Sequence, residues 1–368
     1  MYTEHFGFTH PPFRPPGGED EWFPAPQHTG ALDKLLQGIE TGAPFMLLCG
    51  PTGTGKHTLL DILARRLAPE IRIAHTEGAE LGYGELLGNI LNACQLPCPR
   101  ESEVMRYRRL LDFVERQRVR RRRVLLIITG AHRLSTDNLE QLRLLSGVNG
   151  NEAHLMNILL AGEDSLLDTL EQPALRALAV QITTRARLWP FNAADTRAYI
   201  RFRMKQAGAS GELFSEHASD LIHEASSGIP SAIDYLCTAA LHQAAQEDSQ
   251  RIGASQIARI CRVLEQTGGQ TADATALPKA ADSPDGTSLA PDPPGIELSA
   301  DDLEMARRLA AQARAARQRS QRIRRLLTGT AGILLAGGLI AGAIYLADGR
   351  EAHARTAAHT TQNVTFPD

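Results

Sequence analysis

Gly50-Pro51-Thr52-Gly53-Thr54-Gly55-Lys56-His57 is one letter short of a complete phosphate-binding loop. The pattern G-x-x-x-x-G-K-[ST] follows a strand and opens a helix. Its backbone N–H groups cradle phosphate oxygens, its Lys reaches the outer phosphates, and its hydroxyl holds a divalent ion. The flanks fit that placement. Phe45–Cys49 is an unbroken apolar run, as a strand covered on both faces should be. Lys56–Leu67 carries Leu59, Leu60, Ile62 and Leu63 at helical spacing. The candidate contacts are therefore Gly50, Pro51, Thr52, Gly53, Thr54, Gly55, Lys56, His57 and Thr58, the last placed to touch an inner phosphate. Only four of the 39 Lys and Arg are Lys (Lys34, Lys56, Lys205 and Lys279), so composition alone does not account for a Lys at this position.

Outward from the loop, Ile71–His75, Val124–Ile128, Asn157–Ala161 and Ile182–Ala186 read as further strands. Gly82–Cys94, Glu103–Arg118 and Leu139–Leu145 have helical periodicity. Strands alternating with helices predict an α/β core with a parallel sheet covered on both faces. After Pro190 the strand signals stop, and Ala193–Ala207, Glu216–Ser226, Pro230–Glu247 and Ala254–Gln266 predict a small helical lid. Trp189-Pro190 marks the hinge, with Trp189 expected to be packed. The expected layout is a core over 1–190, a lid over 191–267, and a disordered linker over 268–298 rich in Thr, Ala, Asp, Gly and Pro. An Arg-rich juxtamembrane helix is expected over 299–325. Residues 326–347 carry no charge and are long enough to cross a bilayer as a transmembrane helix. Eight Arg lie between Arg307 and Arg325, against only Arg350 and Arg355 beyond the span, which predicts a cytoplasmic N-terminal module and a short periplasmic tail over 348–368.

A length of 368 residues has room for two or three domains, and the net charge is -3. The five Cys are scattered and offer no zinc-ligand spacing. Met1–Pro16 lacks the apolar core of a signal peptide. The run Arg116–Arg123 has six Arg but no interleaved aromatic, so it reads as a solvated helix end and nucleic acid is not expected.

Several short motifs together resemble one family: Met1-Tyr2-Thr3-Glu4-His5-Phe6-Gly7-Phe8, Pro11-Pro12-Phe13, Gln27-His28, the phosphate loop, Leu139–Ser146 and Ser227-Gly228-Ile229-Pro230. They resemble AAA+ ATPases of the general secretion pathway protein A type, and the related ATPases of mannose-sensitive pilus biogenesis, over residues 1–265. The resemblance implies a P-loop NTPase (AAA+) fold on the cytoplasmic side of a bacterial inner membrane, a single-pass anchor, and ATP or ADP as cofactor. It also implies a role in assembling the secretin of type II secretion. Expected partners are other inner-membrane secretion or pilus assembly proteins, including an active AAA+ paralogue, in a homo- or hetero-oligomer. The family's usual peptidoglycan-binding region has no room in 348–368.

The same resemblance exposes what is missing. Where the family has Asp-Glu-Ala after its third strand, this chain has Thr129-Gly130-Ala131. The metal-holding Asp is Thr129 and the water-activating Glu is Gly130. In the lid motif G-x-P-R the sensing Arg is Ser231, an Arg expected before the fifth strand is Gln181, and Glu163 stands where Gln is usual. A general base is worth roughly 10²–10⁴ in rate, and several losses together predict a nucleotide-binding pseudo-ATPase that scaffolds or regulates. Mg²⁺ is poorly provided for unless Asp137, Glu163 or Asp164 reaches it. His57 is open to two readings: drift in a dead site, or an imidazolium standing where the metal would. An active ATPase driving secretin assembly and a DNA-associated AAA+ adaptor are the alternative readings.

Overall fold

The computed structural model describes residues 2–79, 82–98, 102–146 and 156–269. Strands β1 (Phe45–Cys49), β2 (Ile71–Glu77), β3 (Arg123–Thr129), β4 (Met156–Gly162) and β5 (Ile182–Arg187) pair in parallel in the order β2-β3-β4-β1-β5. The apolar runs alternate across the sheet, as period-two geometry requires. Met46, Leu48, Leu125, Ile127 and Leu159 face one side, where Leu32, Leu35 and Ile39 of α2 (Pro26–Glu40) and Leu59 and Leu63 of α3 (Lys56–Arg66) cover them. An earlier single turn, α1, spans Tyr2–His5.

Phe45, Leu47, Leu126, Ile128, Ile158 and Leu160 face the other side. There they meet α4 (Tyr83–Ala93), α5 (Glu103–Val119), α6 (Thr136–Ser146), and the short α7 (Ser165–Leu170) and α8 (Arg176–Gln181). Every predicted strand is present: β1 has the expected bounds, and the other four are each longer by one or two residues. Helix α2 has no counterpart among the predicted elements. Its stripe of His28, Leu32, Leu35 and Ile39 is regular, but Gly30, Gly38 and the Pro-rich lead dilute the signal.

The lid is α9 (Ala193–Gln206), α10 (Glu216–Ser226), α11 (Pro230–Gln246) and α12 (Ala254–Gly269). Asn192 and Ser215 cap α9 and α10, their side chains accepting from Asp195 N–H at 2.8 Å and Ala218 N–H at 3.1 Å. Ile200, Met204, Ile222, Ile233, Leu241 and Ile257 form the lid core. Phe6, Phe8, Phe13 and Phe23 pack into this core, not into the sheet, and Thr9 N–H donates to Ala207 O at 2.9 Å. The opening residues, grouped by sequence with the α/β core, therefore also build the lid.

Trp189 is a correction: it is 50% exposed, and the Arg187 guanidinium stacks 3.7 Å from its ring centroid. Gln27 holds its backbone in place, accepting from Trp189 N–H and donating to its carbonyl, both at 2.9 Å. Most of the expected linker, the Arg-rich helix, the span 326–347 and the tail lie outside the described residues. Among the described residues no helix is long and apolar enough to cross a membrane.

Candidate functional site

The loop between β1 and α3 opens at the carboxyl end of the sheet, the usual place for ligands in parallel α/β folds. A cleft of about 430 Å³ spreads from it, walled by the loop, the ends of β2, β3 and β4, the N-terminal segment and the lid. Thr52, Gly53, Gly55, Lys56, His57 and Thr58 line it. Gly50, Pro51 and Thr54 lie behind and shape the loop. Thr54 is fully buried and its hydroxyl donates to Pro51 O at 2.8 Å. The Lys56 ammonium donates to Gly50 O at 2.7 Å and Pro51 O at 2.9 Å. Burial pulls its pKa below the ordinary value, and the Glu163 carboxylate opposes that pull.

Three features of the wall were not foreseen from sequence. His28 Nε2 lies 2.8 Å from Thr54 O. Because a carbonyl only accepts, that nitrogen carries the proton and Nδ1 is left an acceptor. Nδ1 is buried without a partner, and burial keeps the imidazole's pKa low. Next, Ser231 N–H donates to Gly53 O at 3.2 Å, so the first turn of α11 rests on the loop. A Cβ on Gly53 would lie 2.0 Å from Ser231 Oγ, so position 53 has no room for a side chain.

The third is Asp234, one turn further along α11, which accepts from Tyr199 Oη at 2.6 Å. Burial pushes its pKa from 3.8 to about 7, against the Tyr199 bond and the Arg203 charge. A carboxyl that binds its proton more tightly when folded loses stability as pH rises from the unfolded pKa through the folded one. Asp234→Asn should therefore match the parent near pH 4 and exceed it above about pH 7, by at most about 4 kcal/mol. Thermal unfolding across that window checks the expectation; an unchanged slope would count against it.

The end of β3 holds no carboxylate. Thr129 is buried, its hydroxyl donating to Thr76 O at 3.4 Å and lying 3.2 Å from His75 Nε2, so it serves the sheet. Gly130 lines the cleft, followed by a 3₁₀ turn (Ala131–Arg133) that brings His132 and Arg133 in as well. Glu163 N–H donates to His132 Nδ1 at 3.3 Å, and the Glu163 carboxylate accepts from Thr52 Oγ1 at 2.5 Å. Asp164 pairs with Arg187 at 2.9 Å, and Asp137 is exposed on α6 away from the cleft wall. Gln181 ends α8 at the amino end of β5, opposite the loop, and does not line the cleft. Among the described residues no group of three His, Cys, Asp or Glu could hold a metal ion. The end of β3 offers Mg²⁺ no carboxylate, and Glu163 in the cleft is bonded to the loop at Thr52. For a nucleotide, the N–H cradle and Lys56 are in place.

Comparison with known proteins agrees with this geometry. Residues 39–170 match the AAA domain family. The chain is 34% identical to general secretion pathway protein A of Aeromonas hydrophila over 253 residues, which are 68% of this chain and 46% of that protein. It thus spans less than half the length of that relative. Among solved structures it is similar to Cdc6p of Pyrobaculum aerophilum (18% identity, TM-score 0.51, 68% of each chain). It is also similar to the ORC2 protein of Aeropyrum pernix in its ADPNP-ADP complexes (15%, 0.51, covering 67% of this chain and 70% of that one). A third is Drosophila ORC bound to DNA (14%, 0.52, covering 74% and 68%). At these identities the structures speak for the fold alone. The β1–loop–α3 unit, the sheet order and the family match agree: the chain carries an AAA domain, and over 253 residues it is similar to general secretion pathway protein A.

Proposed function

We propose that this chain binds ATP or ADP without hydrolysing it by the family's route, and serves as a scaffold or regulator in secretion or pilus-type envelope assembly. The observation that carries the reading is the pairing of a kept phosphate cradle with a β3 end that presents Thr129 and Gly130 in place of two acids. Backbone N–H groups of 52–57 and Lys56 would hold the phosphates, with the dipole of α3 behind them. Water activation has no candidate base on β3, and the lid offers Ser231 in place of an Arg. The link to secretion rests on the Aeromonas relative, and anchoring rests on the uncharged stretch 326–347 with its flanking Arg. The proposed site of action is the inner membrane, module inward, beside membrane partners or an active paralogue.

The test is a titration of the purified full-length chain with a fluorescent ATP analogue, paired with a phosphate-release assay. Saturable binding is expected, with phosphate release no faster than from Lys56→Ala. Release that Lys56→Ala abolishes would replace this reading with a working ATPase. Extraction of membranes with alkaline carbonate checks the anchor: the chain should stay with the lipid.

A further inference from the structure

We propose that the guanidinium of Arg133 takes over the charge role of the divalent ion, so that the cleft binds nucleoside triphosphate without metal. The inference deepens the functional reading above and rests on it. Arg133 follows β3 through a tight turn, its N–H donating to Gly130 O at 3.0 Å, which keeps its stem beside the strand end. A Cβ built on Gly130 would lie 2.7 Å from Arg133 Nη2, 3.1 Å from Nε and 3.3 Å from Cζ. The guanidinium therefore lies where any side chain at position 130 would grow. A cation fills the space that an acid would need, and it shares the cleft wall with Lys56 and His132.

Its present partner is weakly held. Arg133 pairs with the Glu77 carboxylate, and the two side chains are 44% and 71% exposed. Exposed pairs of this kind contribute little, so a phosphate can displace Glu77. A planar fork of N–H donors suits phosphate oxygens in a way an ammonium does not. His57 also lines the cleft, but among the described residues no hydrogen bond or ion pair holds it near the strand end. The geometry gives the role to Arg133 over His57. The nearby negative groups are Glu77 and Glu163, the latter already bonded to Thr52 and 3.7 Å from His132 Nε2.

The experiment is a fluorescent-ATP titration of the full-length chain in magnesium and in excess EDTA, run for the parent, Arg133→Gln, Arg133→Lys, Glu77→Gln and His57→Ala. The parent should bind equally well in both buffers. Arg133→Gln should weaken EDTA binding by about 10–100-fold, with Arg133→Lys recovering part of the loss and His57→Ala close to the parent. Glu77→Gln should tighten binding by about 2–5-fold, because the competing carboxylate is gone. This second variant keeps the test decisive if Arg133→Gln folds poorly, which circular dichroism would show. Binding lost in EDTA, or Glu77→Gln and a folded Arg133→Gln both matching the parent, overturns the inference alone. No binding in either buffer overturns the nucleotide reading with it.

Discussion

Gly228→Ala should lower the melting temperature by about 6–12 °C and loosen the lid from the sheet. Gly228 adopts φ +73°, and a Cβ there would lie 2.0 Å from the carbonyl oxygen of Phe191 and 3.0 Å from its carbon. The neighbour is backbone, so no side chain can swing away. Phe191 N–H donates to Gly228 O at 2.7 Å, which ties the strand-to-lid crossing to the turn before α11. A left-handed conformation costs a residue with a Cβ roughly 1–2 kcal/mol. Displacing the Phe191 contact brings the expected loss to about 3 kcal/mol, a shift of that size for a domain of this length. Differential scanning calorimetry would read it. Phe191 also lines the cleft beside His28, its ring centroid 5.4 Å away, so nucleotide affinity should fall in the same variant. A melting temperature within a degree or two of the parent would show that the turn yields more easily than this packing implies.

Lys56→Ala should weaken nucleotide binding by at least about 10–100-fold, the worth of one lost charge-assisted hydrogen bond of about 1.5–3 kcal/mol. Stability should change little. The ammonium is pulled toward neutrality by burial, and its bonds to Gly50 and Pro51 carbonyls satisfy it only in part. Fluorescence anisotropy of an ATP analogue measures the first effect and thermal unfolding the second. Retained affinity would mean that the backbone N–H groups alone hold the anion.

How much of this was legible in the sequence differs between fold and site. Strands β1, β3 and β4 announced themselves because both faces are buried, which makes their apolar runs continuous. Lid helices α10 and α11 were legible because Ser215 caps the first and Pro230 opens the second. Helix α2 was not, since its half-polar stripe becomes helical only against the sheet. The loop residues were found through the spacing of Gly50, Gly55 and Lys56. Arg133 stood in the sequence four residues past Thr129, but its place depends on a turn whose direction no motif specifies. The approach of Ser231 to Gly53 joins positions 178 apart, and no local pattern reports such a contact.

The hydrogen bond from the Ser231 amide to the Gly53 carbonyl couples the loop to the start of α11. The cradle is thereby joined, backbone to backbone, to the first turn of a 17-residue helix. Under the reading proposed above nucleotide is not turned over, and there is no power stroke to drive. What remains under that reading is a fixed setting, the seat of α11 against a filled or an empty cradle.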